Sequence, residues 1–186
     1  MATVPTVQVW STGQYVTAAQ MNAGVGNVLS WLMGTPRAII YRNAAVSWAS
    51  NGIPSVISWT TELVDTDTMW SSGHPSRFTF NTAGLWQIEL AVHYNEITTG
   101  ASHCGIGLNS AGTWPSFGST NRLQESTLSA CGTAFGQSMN LTFSYYFNQN
   151  DYIEAFTTQN SGSAVSAFPS GTYFDGHLSA KWLASS

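Results

Sequence analysis

Asp65 and Asp67, one residue apart in the run VDTDT, are the first residues with the types and spacing for chemistry. Two carboxylates so placed can share a calcium ion, which takes roughly six to eight oxygen ligands. The same spacing also makes an Asx-turn that ends the preceding strand, and no other acid lies nearby in sequence. His103 and Cys104 are adjacent and have the residue types of a base and a thiol nucleophile. Neighbours on a strand point to opposite faces, so the two cannot form a dyad with each other, and Cys104 reads as a small core residue. His93 and His103 fall at polar positions that bracket an expected hairpin, where they would pair across strands or line a subunit contact; a metal role would need a third ligand. Gly105 and Gly107, on the face of His103, point to close approach of another backbone. No G-x-S-x-G, P-loop, H-E-x-x-H or paired C-x-x-C run occurs, and nothing singles out a glycosidase pair among the nine acids. The chain is therefore read as a non-enzyme that needs no cofactor.

Two Gly/Ser/Pro-rich stretches, NSAGTWPSFGSTN and QNSGSAVSAFPSG, carry or adjoin four aromatic residues: Trp114, Phe117, Phe168 and Tyr173. Exposed loop aromatics stack on sugars or fill partner pockets; otherwise they tuck back over the edge of the fold.

The elements that must position these residues alternate with period two. GLWQIELAVHY (84–94) places Trp86, Ile88, Leu90, Val92 and Tyr94 on one face, and Gln87, Glu89 and His93 on the other. In HCGIGL (103–108) Cys104, Ile106 and Leu108 share a face, and in MNLTFSYYF (139–147) Met139, Leu141, Phe143, Tyr145 and Phe147 do so. YFDGHLSAKWL (173–183) sends Phe174, Leu178, Ala180 and Trp182 inward and Asp175, His177, Ser179 and Lys181 outward. Such alternation marks antiparallel strands with one wet or interfacial face. Roughly eight strands separated by turn-rich runs predict a mostly β chain folded as a jelly roll or sandwich.

One helix precedes them. Thr17 and Gln20 have the spacing of a capping box, Val16 and Met21 that of a hydrophobic staple, and Gly34 followed by Pro36 stops the helix. Met21, Val25, Val28 and Leu32 form a short apolar seam. Gly24 and Gly26 weaken it, each by roughly 1 kcal/mol relative to Ala, and helices shorter than about 12–15 residues are marginal alone in water. The seam therefore needs a partner: its own domain, further copies of the chain, or a larger particle.

Composition narrows the choice. Of the 186 residues 43% are hydrophobic, enough for a core, and only 8% are charged against a usual share of roughly 25%. Charge is depleted and aromatics are enriched at interface cores, so much of this surface is expected to be hidden in an assembly. The net charge is −4, with five Lys and Arg scattered singly, which excludes a nucleic-acid footprint. The start lacks the features of a signal peptide, and no stretch approaches the roughly 20 apolar residues that span a bilayer. Two cysteines, Cys104 and Cys131, are too few for a disulfide framework or a zinc site.

RFTFNTAGLWQIELAVHYN, NQNDYIEAFTTQNSG and TYFDGHLSAKWL occur in an order that resembles the jelly-roll domain of the complement globular head and tumour necrosis factor superfamily. Phe80, Gly84, Trp86, Asp151, Phe174, Gly176 and Leu178 carry the resemblance. WSTGQYVTAAQMNAGVGNVLSWLMGTPRA is similar to a leader of tailed-phage virion proteins, through Trp10, Gly13, Thr17, Ala18, Met21, Asn22, Leu32 and Pro36. ELVDTDTMW and HPSRFTF look like phage versions of the same jelly roll. The resemblance implies a leader and helix over 1–36 that anchors or oligomerises, and a jelly-roll domain over 37–186. It further implies a homotrimer on the virion, bound to tail or capsid proteins and facing outward to a host-surface glycan, as a tail-tip, fibre or head-decoration protein. Assembly in a reducing cytoplasm disfavours a Cys104–Cys131 disulfide. The rival reading is a carbohydrate-binding or carbohydrate-active protein on the same scaffold.

Overall fold

The computed structural model describes residue 5 and residues 9–130, 136–168 and 176–185. Among these, two antiparallel sheets face each other. The first runs β2 (Val46–Trp48), β11 (Val165–Ala167), β6 (Gly84–Glu96), β12 (Gly176–Ala184), β1 (Arg37–Tyr41), β4 (Thr61–Asp65), with β9 (Gly136–Phe147) on the remaining side of β6. The second runs β3 (Ser55–Val56), β10 (Tyr152–Gln159), β7 (Ala101–Leu108), β8 (Arg122–Ser129), with β5 (Arg77–Thr79) also on β10. The chain crosses from β6 to the other sheet at β7, returns at β9 and crosses again at β10, the winding of a jelly roll. Strands as short as β2, β3, β5 and β11 carry no readable period, so more strands are present than the expected eight.

The alternation in β6 is the core. Trp86, Ile88, Leu90, Val92 and Tyr94 are buried, opposite Cys104 and Ile106 of β7 and Ile153 and Ala155 of β10. Phe80 stacks on Phe147 with centroids 3.8 Å apart and meets Trp86 edge-on at 5.1 Å. Burial pushes the Cys104 thiol up to about 12, so it stays protonated and packs as an apolar group. The Tyr94 hydroxyl, paired with Thr157, is likewise pushed up to about 12, chiefly by burial.

The inward row of β9 departs from expectation. Met139, Leu141 and Phe147 are buried, but Phe143 is only half-buried and Tyr145 is 36% exposed. β9 borders the first sheet and β8 the second; Gln137 Nε2 of β9 donates to Ser129 O of β8 at 3.0 Å and closes that side of the sandwich at one end, leaving it open near Phe143 and Tyr145. The inward row of β8 is Gln124, Ser126 and Leu128, too polar or too exposed to close it.

The opening helix has the expected cap. Thr17 Oγ1 accepts from the Gln20 N–H at 3.2 Å, and Gln20 Oε1 accepts from the Thr17 N–H at 2.9 Å. Its middle is not α-helical: Ala18–Met21 and Asn27–Met33 are α, with Asn22–Gly26 forming a π turn between them. Gly24 and Gly26 fall in that turn, where the absence of side chains lets the backbone ring widen. No helix residue is buried. Met21, Val25 and Leu32 are 50, 43 and 63% exposed, and Val28 is half-buried. The helix touches the sandwich through Trp31, edge-on to Trp182 at 5.3 Å, and the Trp182 N–H donates to Pro36 O at 2.9 Å.

Candidate functional site

The loop between β7 and β8 does not hang free. It folds over the outer face of the second sheet and forms a small second core there. Asn109, at φ 48°, donates from Nδ2 to Asp151 Oδ1 at 2.9 Å, and its Oδ1 accepts from the Tyr152 N–H at 2.9 Å. Glu154, on the outward side of β10 and 1% exposed, holds the loop from below. Its Oε2 accepts from Ser110 Oγ at 2.8 Å and the Gly112 N–H at 2.6 Å, and its Oε1 from Ser76 Oγ at 2.8 Å. Arg77 Nε lies 3.8 Å from Oε1 and supplies the opposite charge.

Trp114 then lies flat across the sheet. Its ring occupies the place where a Cβ on Gly105 would stand, and packs 5.2 Å from Phe156 and 5.5 Å from His103. Gly105 is thus needed for a close approach, as its sequence position suggests. The nearest approaching group is a side chain of the chain's own loop, with the Gln124 backbone carbonyl next at 3.0 Å, and side chains of Pro115 and Ser110 cover Gly107.

Above Trp114 the surface becomes polar. In β8, Gln124 pairs with Ile106 and Arg122 with Gly107, so Leu123 is an extra residue, a β-bulge. A regular strand would put Arg122 and Glu125 on opposite faces; the bulge brings both to the outer one. Arg122 Nη2 donates to Glu125 Oε2, and His103 Nε2 bonds the same oxygen at 2.8 Å. The bond from Arg122 is the main reason the Glu125 carboxyl sits below its ordinary value. The guanidinium lies 4.9 Å from the Trp114 ring centre and 5.4 Å from that of Phe117, which is 89% exposed. Phe117, Ser119, Arg122, Leu123, Gln124 and Glu125 line an open hollow of about 290 Å³.

No protein-family model matches the sequence, and no curated protein matches it. Solved structures do match the fold. Murine APRIL at pH 5.0 superposes with a TM-score of 0.56 at 11% identity, over 80% of this chain and 99% of that one. Eiger TNF from S. frugiperda gives 0.56 at 11%, over 82% and 94%. The globular domain of zebrafish complement 1qA gives 0.50 at 12%, over 81% and 99%. The fold is the tumour necrosis factor and complement 1q jelly roll. At these identities the likeness is one of fold.

Within this jelly roll the residues singled out from sequence separate. Phe117 lines the hollow, and Trp114 lies beneath the Arg122 guanidinium that lines it, 4.9 Å from its ring centre. Phe168 does not: it is buried at φ 56°, its N–H donates to His93 O at 2.9 Å, and its ring packs against Trp59 over Gly176, where a Cβ would collide with it. The expectation that Phe168 is a surface aromatic is corrected by that pocket in the core. Tyr173, with Phe174 and Asp175, lies outside the described residues, as does Cys131. His93 and His103 do not bracket a hairpin, because β6 and β7 belong to different sheets; His93 Nδ1 is instead hydrogen-bonded to Ser138 Oγ at 2.7 Å. Asp65 is a turn device: Oδ1 accepts from the Asp67 N–H at 3.1 Å, and Oδ2 from those of Met69 and Trp70 at 2.6 and 2.9 Å. Asp67 is itself buried, and among the described residues no three His, Cys, Asp or Glu side chains gather as a metal site would need. Arg122, Gln124 and Glu125 were not legible as site residues, since RLQE offers no clean alternation and a bulge has no reliable sequence mark.

Proposed function

We propose that this chain is a non-enzymatic structural protein of a tailed-phage virion, working as a homotrimer in tail or head. The N-terminal segment attaches it to its tail or capsid neighbours, and the jelly roll projects outward to the host surface. One observation carries the self-association: the open side of the sandwich leaves Phe143 and Tyr145, core-facing positions of β9, partly uncovered. The outer face of the first sheet offers a complementary surface, a hollow of about 290 Å³ lined by Arg37, Ile39, Gln87, Glu89, Ser179, Ala180 and Lys181. An edge seated on the neighbour's face is a head-to-tail contact, which closes into a three-membered ring when each subunit is rotated a third of a turn from the last. The exposed seam of Met21, Val25, Val28 and Leu32 adds a second apolar surface for copies or particle to cover. The virion assignment is supported by the resemblance of the leader.

Light scattering of the intact chain is expected to give three times its 20.0 kDa mass at micromolar concentration, and Tyr145→Glu a folded 20.0 kDa species. A monomeric wild type overturns the trimer. A phage lacking the gene, complemented with protein lacking residues 1–34, should yield particles without the chain; normal incorporation would place attachment in the jelly roll.

A further inference from the structure

We propose that the hollow between Phe117 and β8 is a binding site for a neutral saccharide, formed by Phe117 as a stacking platform and by Arg122 and Glu125 as hydrogen-bonding groups. The inference stands whether or not the chain is part of a particle.

The chemistry follows from what the site leaves open. Both bonds to Glu125 go to Oε2, so Oε1 remains an acceptor on a side chain that is 35% exposed. Arg122 uses Nη2 for that pair; no described group accepts from its Nη1, and Nε is buried without a partner. A donor and an acceptor therefore stand side by side on one rim. A sugar hydroxyl both donates and accepts, so a row of hydroxyls satisfies such a rim, whereas an anion meets the Glu125 carboxylate and a cation meets the guanidinium.

Phe117 supplies the other half. A large apolar ring that is 89% exposed gains nothing from its own fold. Among the described residues its ring meets the Arg122 guanidinium, which also lies against the Trp114 ring. The ring thus lies beside the polar rim, where it can cover the C–H face of a pyranose. The hollow, about 290 Å³, is at the lower end of the roughly 300–1,000 Å³ typical of small-ligand clefts. A protein partner is less well served: a stable interface needs about 800 Å² per side with an apolar centre, and the hollow's remaining lining is mostly polar. Polyanionic glycans are disfavoured because Glu125 neutralises Arg122 and the chain carries a net charge of −4.

The site lies on the outer face of the second sheet, whereas the proposed subunit contact uses the inward rows of β8 and β9. Both can be occupied at once.

The test uses the intact chain on an array of neutral gluco-, galacto-, manno- and arabino-oligosaccharides, with sialylated and sulfated members alongside. Retained sugars are then titrated by saturation-transfer NMR. Neutral members are expected to bind, Phe117→Ala to weaken binding about tenfold, and Phe117→Trp to retain it. Because Phe117 is almost wholly exposed, the alanine variant should melt with the wild type, which separates loss of the platform from loss of fold. Three results would overturn the site: no neutral oligosaccharide retained, retention of acidic members only, or equal binding by Phe117→Ala. The free protein is the reagent, so a negative result here leaves the assembly reading standing, and a monomeric protein that binds sugar leaves this one standing.

Discussion

Arg122 and Glu125 form an ion pair three residues apart on a single β-strand, which a regular strand cannot do. Leu123 makes it possible: as the bulged residue it takes no partner on β7 and restores Arg122 to the face of Glu125. The strand that ends the sheet is thereby also the strand that presents the polar rim. His103 joins the pair from β7, so two adjacent strands are tied at one carboxylate oxygen.

This pair makes the loop sensitive to acid. The Glu125 carboxyl is held below its ordinary value of 4.5, first by the bond from Arg122 and then by His103, with partial burial opposing. Its folded value is depressed, so its stabilisation is fully present above 4.5 and is lost as pH falls through the folded value. Thermal melts of wild type and Glu125→Gln should differ at neutral pH and converge below that point. A gap independent of pH would show that the carboxylate charge contributes nothing.

The two faces of β6 should respond very differently to truncation. Leu90 is wholly buried, and Leu90→Ala should cost about 2–5 kcal/mol. Glu89 is 50% exposed with His177 Nε2 3.6 Å away, and Glu89→Ala should cost under about 1 kcal/mol. Denaturant melts of the two variants, run at a concentration where the chain is monomeric, check this. Equal losses would mean that the outer face is as deeply buried as the core.

Legibility from sequence followed the regularity of each element. β6 was readable over 84–94 because eleven consecutive positions keep one period with large apolar side chains on one face. The cap at Thr17 was readable because a capping box is a local motif. The second core was not. Glu154 looks like an outward polar residue of β10, and only the fold of the 109–121 loop shows that it is covered. Phe168 was misplaced because its burial depends on Gly176, which belongs to another strand, and on a positive φ that no neighbouring residue announces. Bulges were invisible for the same reason: the extra residue at Leu123 is defined by its partner strand.

Cys104 should be chemically silent in the folded chain. It is fully buried, and a thiol pushed up to about 12 carries almost no thiolate at neutral pH. Peptide mapping after iodoacetamide treatment should find Cys104 unmodified in the native protein and fully modified in denaturant. Rapid native labelling would mean that β7 opens on the time scale of the reaction.

Glu154 is the residue on which the outer site depends without touching it. Its two oxygens hold Ser110 and Gly112 of the loop and Ser76 of the β4–β5 connection, and it is 1% exposed. Glu154→Ala would leave the Ser110 and Ser76 hydroxyls and the Gly112 N–H without their acceptor, and Arg77 without its counter-charge. Losing a buried, charge-assisted acceptor of this kind should cost about 3 kcal/mol. Glu154→Gln keeps one acceptor oxygen and should cost less. The distinctive expectation is spatial. Because the loop carries Trp114 and Phe117, its release should open residues 109–121 to limited proteolysis well before global unfolding, while β6 and β12 keep their hydrogen-exchange protection. If Glu154→Ala lowers protection uniformly across both sheets, the carboxylate supports the sandwich as a whole and the loop is not a separable unit.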